Sequence, residues 1–114
     1  NISIGMNEIE KPLQDFKQGV VKDTGMIFNL DLTEAMELEN LLLQAQVTLK
    51  SAFARTESRG AHTRDDYPER DDKNWMKHTL AWAGGHNSRI GYRAVVLKPL
   101  TNEMEPVPPK ARVY

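Results

Sequence analysis

DLTEAMELENLLLQAQVTLKSAFARTE, residues 31–57, contains no Gly or Pro and is dominated by Leu, Ala, Glu and Gln. Propensity and length together predict one helix of roughly seven turns. Asp31 with Glu34 gives a D-x-x-E start, in which the Asp side chain accepts from free N–H groups of the first turn and the Glu reaches back. Turned at about 100° per residue, Ala35, Leu38, Leu41, Leu42, Ala45, Leu49, Ala52 and Phe53 share one broad face. Met36, Leu43, Val47 and Ala54 share another, and Glu39, Gln46 and Lys50 form a narrow polar strip between them. A helix with two apolar stripes needs two packing partners. One is a preceding helix; the other is either a further element of this domain or a body of protein beyond the chain. The Leu38, Leu42 and Leu49 face is expected to be the more buried, which leaves Met36, Leu43 and Val47 as an apolar strip for self-association.

Upstream, Met6, Ile9, Leu13, Phe16 and Val20 recur at spacings of three and four, so a helix is predicted over about 5–20. Pro12 removes a backbone donor, and a kink or late start is expected there. Asp23, Thr24 and Gly25 signal a turn before the long helix. Downstream, Asp72 to Met76 suits a short helix, and Lys77 to Ala83 and Ser88 to Leu97 alternate around Gly84-Gly85-His86-Asn87, which predicts a β-hairpin. Pro99, Pro106, Pro108 and Pro109 forbid regular structure in the tail, which is expected to run extended across a surface. The fold class is therefore mainly α. A small bundle with one long central helix (about 5–57) leads into a charged loop (58–73), a hairpin (about 77–97) and a proline-rich tail (98–114), all within a single domain over 1–114.

A length of 114 residues fits one domain and is small for an enzyme with a bound dinucleotide. A start at Asn1 suggests a piece of a longer protein. No apolar run approaches the roughly 18 residues of a membrane span, so direct membrane insertion is not expected. The absence of Cys excludes disulfides, thiolate catalysis and Cys-ligated metal within this sequence. A formal net charge of −1 gives no long-range attraction to nucleic acid.

Ionisable residues concentrate in Arg55 to Lys73, with five cationic side chains (Arg55, Arg59, Arg64, Arg70, Lys73) against six acidic ones (Glu57, Asp65, Asp66, Glu69, Asp71, Asp72). Interleaved opposite charges favour fixed ion pairs over a field for polyanions. His62 with Asp65 and Asp66 has metal-ligating chemistry but no ligand spacing. Ser58, His62 and Asp65 have the residue types of a hydrolytic triad without a nucleophile elbow. Trp75 and Trp82 beside Arg64 and Arg70 could stack on bases, but acids alternate with the basic residues. Gly84-Gly85 precedes no helix start and is no phosphate loop. Two readings of the charged segment stand: contacts to another domain, or a brace internal to the loop. Gly60 is expected in a left-handed or closely packed conformation.

ESRGAHTRDDYPERDD, followed by NWMKHT and by the ending VPPKARVY, closely resembles the C-terminal domain of the flavoprotein subunit of succinate dehydrogenase and fumarate reductase. The resemblance runs from about Gly25 to Tyr114 and favours the succinate dehydrogenase branch. It implies a mainly helical domain that packs on the FAD-binding domain of the same longer chain and supports assembly. It further implies a parent that passes a hydride from succinate to FAD and sends electrons through an iron–sulfur subunit to quinone. That parent would lie peripherally on the cytoplasmic face of the bacterial inner membrane or on the matrix side in mitochondria. The family's flavin-binding and substrate-binding motifs lie upstream of the matched region, so the resemblance assigns no catalytic, cofactor-binding or metal residue here. Any FAD belongs to the parent. What carries over is the SRGAH-x-R-x-D pattern: Ser58, Arg59, Gly60, Ala61, His62, Arg64 and Asp66. With Arg55, Glu57 and Asp65, these residues other than Ala61 are the nine candidates for interdomain contact. The beginning of the chain departs from the family, lacking the longer upstream helix. L-aspartate oxidase has a similar SRG-containing domain and is the nearest alternative, although Ala61, NWMKHT and PPKARVY speak for succinate dehydrogenase. A non-catalytic interaction module is the other alternative.

Overall fold

The computed structural model describes residues 2–83 and 88–110. Its elements are α1 (Ile2–Glu8), α2 (Glu10–Gln18), α3 (Leu30–Ala54), α4 (Asp72–Trp75), β1 (Lys77–Trp82) and β2 (Arg89–Ala94). The expected mainly helical architecture with one long helix and a terminal hairpin is the one observed. The turn expected at Gly84-Gly85-His86-Asn87 and the last four tail residues lie outside the described residues.

The helix expected over 5–20 begins at Ile2 and is divided at Ile9, three residues before Pro12. Pro12 cannot donate to the Glu8 carbonyl, and its ring opposes that oxygen, so the deviation falls one turn upstream of the proline. Ile9 keeps helical dihedrals (φ −70°, ψ −22°), and Ile9 N–H still reaches the Gly5 carbonyl at 3.0 Å, which makes the junction a kink. α1 and α2 run back along α3. A β-carbon placed on Gly5 would lie 3.5 Å from Leu49 Cδ2, so α1 meets the C-terminal half of α3. Pro12 and Phe16 of α2 face Leu38 and Leu42 across a groove.

α3 starts one residue earlier than its sequence suggests, and its cap is Asn29, not Asp31. The Asn29 side chain accepts from Leu32 N–H at 2.8 Å, while its amide donates to the carbonyls of Asp23 (2.7 Å) and Gly25 (2.8 Å). Asn29 supplies acceptor and donor together, which a carboxylate cannot do. The helix ends at Ala54 rather than near Glu57. The guanidinium of Arg64 takes up carbonyls of the last turn there, and Arg55 leaves helical geometry (φ −86°, ψ 114°).

Burial along α3 is sorted by position along the axis more than by face. Leu42 is 8% exposed, whereas Leu38, Leu41 and Met36 nearer the N-terminus are exposed. Leu43 and Val47, expected on an exposed strip, are half-buried, as is Leu49. Gln46 departs furthest from expectation. Assigned to the polar strip, it is 1% exposed, and neither its oxygen nor its nitrogen has a hydrogen-bond partner among the described residues.

β1 and β2 pair antiparallel from Lys77 opposite Ala94 to Trp82 opposite Arg89. The second strand stops at Ala94, short of the expected Leu97. Gly91 lets the Trp82 ring lie across the ribbon, since a β-carbon there would come within 3.0 Å of Trp82 Cζ3. Among its described residues, through 110, the tail has no helix or strand, as the prolines require, but it stands away from the domain: Leu100, Met104 and Val107 are exposed.

Candidate functional site

The loop between α3 and α4 is assembled around one carboxylate. Glu57 is 0% exposed. Its oxygens accept from Arg55 Nη1, from Arg59 Nε (2.8 Å) and Nη2 (3.0 Å), and from the Asp71 N–H (2.9 Å). Burial pushes this carboxyl up, but the bonds from Arg59, the Asp71 N–H and Arg55 outweigh it and hold Glu57 below its ordinary value. Reciprocally, the bond to Glu57 holds the Arg59 guanidinium above its ordinary range despite partial desolvation. Arg59 also reaches Asp72 at 2.6 Å, and Asp72 receives Arg70 at 2.9 Å. Three guanidinium groups thus share two carboxylates, the arrangement in which planar forks outperform ammonium groups.

Arg64 organises the other side of the loop. It is 7% exposed and donates through Nη1 to the carbonyls of Phe53 (2.8 Å), Ala52 (3.2 Å) and Arg55 (3.3 Å). These are orphan acceptors at the end of α3, where a positive charge also complements the helix dipole. Its remaining nitrogens bond both oxygens of Asp66, whose carboxyl is held low chiefly by that bond. Ser58 closes the loop, its hydroxyl donating to the Tyr67 carbonyl at 2.8 Å and accepting from Arg64 N–H at 2.9 Å. Arg59 and His62 exchange backbone bonds of 2.8 and 3.0 Å around Gly60. Gly60 has the expected left-handed conformation (φ +59°), although in a loop turn and not at the helix exit.

The loop is fastened to the hairpin through Arg55 and Trp75. Arg55 donates to the carbonyls of Trp75 (3.1 Å) and Lys77 and to Thr79 Oγ1 (3.3 Å). Trp75 is buried, and its indole N–H donates to Thr56 Oγ1 at 3.0 Å. Arg55 stands 5.0 Å and Lys77 4.4 Å from its ring centre, and Tyr92 meets it edge-on at 5.6 Å.

The nine residues singled out from the sequence therefore converge in one loop with separate tasks. Arg55, Glu57, Ser58, Arg59, Arg64 and Asp66 are engaged in holding it together. Gly60 and Asp65 are exposed, and Arg59 and His62 are half-buried. No triad forms: the Ser58 hydroxyl is occupied by backbone groups, and Asp65 faces solvent. Among the described residues no cluster of three metal-ligating side chains occurs. Asp71, Asp72, Thr56 and Trp75 belong to the same assembly although they are not among the nine interdomain candidates. The D-x-x-N spacing of Asp71 and Asn74 was the available signal, since Asp71 caps α4 through Asn74 N–H at 2.9 Å.

Two clefts flank these elements. One, of about 730 Å³, lies between α2 and α3, lined by Pro12, Phe16, Val20, Leu38 and Leu42 together with Asp15, Lys22, Asp31 and Glu34. The other, of about 450 Å³, lies where the loop meets the hairpin, lined by Arg55, Arg59, His62, Trp75, Lys77 and His78.

The family described as fumarate reductase flavoprotein C-term matches residues 1–114. Among curated proteins, the chain is 46% identical over 110 residues to the mitochondrial succinate dehydrogenase [ubiquinone] flavoprotein subunit of Oryza sativa subsp. japonica, covering 96% of this chain and 18% of that protein. It is 49% identical over 110 residues to the succinate dehydrogenase flavoprotein subunit of Rickettsia conorii, with the same two coverages. Among solved structures, a chain of E. coli quinol fumarate reductase superposes with a TM-score of 0.78 at 33% identity, covering 90% of this chain and 18% of that one. The chain thus spans about a fifth of the length of the proteins it matches.

Proposed function

Because this chain belongs to the fumarate reductase flavoprotein C-terminal family, we propose that it serves as the C-terminal domain of a succinate dehydrogenase flavoprotein subunit. The observation that carries this reading is near-half identity to succinate dehydrogenase flavoproteins over almost the whole chain. The same relatives favour it over the L-aspartate oxidase alternative. The longer protein would oxidise succinate to fumarate with FAD as hydride acceptor and pass electrons through an iron–sulfur subunit to quinone. Among the described residues no helix is long and apolar enough to cross a membrane. Relatives come from mitochondria and bacteria; the proposed position is peripheral, on the matrix or cytoplasmic side of the membrane.

The residues present do not fit a bound FAD. The larger cleft sets three carboxylates, Asp15, Asp31 and Glu34, against one cation, Lys22, and so disfavours a pyrophosphate, and the guanidinium groups of the smaller one are committed to Glu57 and Asp72. No step of the reaction is routed through these side chains. Their proposed work is to present a stiff charged loop to the FAD-binding domain. Arg55, Glu57, Ser58, Arg59, Arg64 and Asp66 set its shape, while Gly60 and Asp65 are exposed and the half-buried His62 borders the second cleft. Charge pairs at such a junction fix orientation more than they add affinity. In the full-length flavoprotein, Arg59→Ala or His62→Ala should weaken flavin retention or assembly with the iron–sulfur subunit, without removing a group that touches substrate. Fully flavin-loaded, fully assembled variants of normal thermal stability would refute this role.

A further inference from the structure

Ahead of α3, the chain holds three consecutive large apolar side chains in solvent. Met26 is 90%, Ile27 83% and Phe28 94% exposed, and Leu30 and Met36 in the first turns of α3 are exposed as well. The segment is nonetheless tied down. Gly25 N–H donates to Asp23 Oδ1 at 2.8 Å, and the Asn29 side chain clamps the Asp23 and Gly25 carbonyls while capping α3. Within this clamp Phe28 adopts φ +50°, a left-handed conformation that disfavours every side chain and a bulky one most. The strained phenyl group gains no burial in return within this chain. A side chain kept at a strained, fully exposed position, on a loop already ordered by hydrogen bonds, has the attributes of an anchor preset for a partner.

We propose that residues 26–28, with Leu30 and Met36, form the apolar anchor by which this chain docks onto the flavin-bearing body of the longer flavoprotein, a reading that rests on the parent assignment above. Two observations select that occupant. The proteins this chain matches consist mostly of polypeptide outside the matched region, so a large covering body is available in the same molecule. The segment and the first turns of α3 also carry four exposed carboxylates, Asp23, Asp31, Glu34 and Glu37, against one exposed cation, Lys22. A second copy meeting this face to face would set like charges together, whereas an apolar pocket with a basic rim would not.

The test uses two substitutions in both the 114-residue chain and the full-length flavoprotein. Phe28→Gly removes the backbone strain and the anchor together. It is expected to leave the melting temperature of the 114-residue chain unchanged or higher, and to lower that of the full-length protein. Ile27→Cys introduces a thiol into a sequence without cysteine. Labelling with iodoacetamide, read at the peptide level, should be at least about tenfold slower in the full-length protein than in the dilute 114-residue chain. Equal labelling rates, or a fall in melting temperature confined to the 114-residue chain, overturn the proposal. Protection that appears in the 114-residue chain alone as its concentration rises assigns the face to a second copy and overturns it too. Succinate-dependent reduction of the flavin in the unsubstituted full-length protein tests the parent assignment separately. Protection without that reduction keeps the docking and removes the succinate reading, while reduction without protection does the reverse.

Discussion

Glu57 holds together parts of the loop that share no regular structure, since its two oxygens gather Arg55, Arg59 and the Asp71 N–H. Glu57→Ala leaves two guanidinium groups and a backbone donor short of an acceptor, and should cost about 3–5 kcal/mol in denaturant unfolding. An unchanged midpoint would show that the network contributes nothing net. The same residues set an acid limit. Glu57, Asp66, Asp71 and Asp72 are all held below their ordinary values, so at pH near and below 4 the unfolded chain binds more protons than the folded one. Their contribution is therefore full above the ordinary carboxylate range and is lost as pH falls through the depressed values. Thermal unfolding across pH 7 to 3 should show a plateau followed by a decline, and the Glu57→Ala variant a shallower one. Arg64 supports a sharper comparison, because lysine has the charge but not the fork that spans Asp66 and three carbonyls at once. Arg64→Lys should recover little of the stability lost in Arg64→Ala. The abundance of paired charges was legible in the sequence, and so were Arg64 with Asp66 and Arg59 with Glu57 as near neighbours. The backbone bond from Asp71 to Glu57 was not, because it depends on how the chain returns after fourteen residues.

α3 shows what a helical wheel reads and what it omits. Angular position identified Leu42 as core, and Leu42→Ala should cost about 2–5 kcal/mol. The wheel carries no information along the axis, and α3 is about 38 Å long at 1.5 Å per residue, more than its short neighbours cover evenly. Gln46 is buried because it lies in the covered half on the side of Leu42, one turn away, whereas Gln44 and Thr48 in the same half are exposed. The start of α3 was similarly underdetermined, since Asn29, Asp31 and Thr33 are all capping residue types. The choice fell to the residue whose side chain also serves the preceding turn. Asn29→Ala should therefore cost about 1 kcal/mol or more, and Asp31→Ala only a few tenths, by equilibrium unfolding. Equal costs would return the cap to Asp31.

At the scale of the molecule, the Cα radius of gyration is 19.5 Å, against about 13–14 Å for a compact domain of this length. The chain is drawn out to 59 × 36 × 30 Å because the long helix, the hairpin and the tail are joined end to end with little layering. Composition gave no warning of this, since the apolar residues that would close a core are present but face outward. On its own the 114-residue chain should bind no stoichiometric flavin, as checked by its visible absorbance. Its self-association should be weak at low ionic strength and grow with salt as the carboxylates of the segment that bears the exposed apolar face are screened. Sedimentation across salt and protein concentration tests this, and a species that remains monomeric at high salt would count against association through that face.

The two tryptophans give the molecule an optical readout of its own construction. Trp75 is gripped by Thr56, two cations and Tyr92, and belongs to the charged loop; Trp82 lies against Gly91 and Arg89 out on the ribbon. An indole fixed among asymmetric neighbours gives a strong near-ultraviolet dichroic band, and one at an exposed ribbon position a weak one. Titration with acid should therefore extinguish the near-ultraviolet signal while the far-ultraviolet signal of α3 persists, separating loss of the charged loop from loss of helix in a single sample.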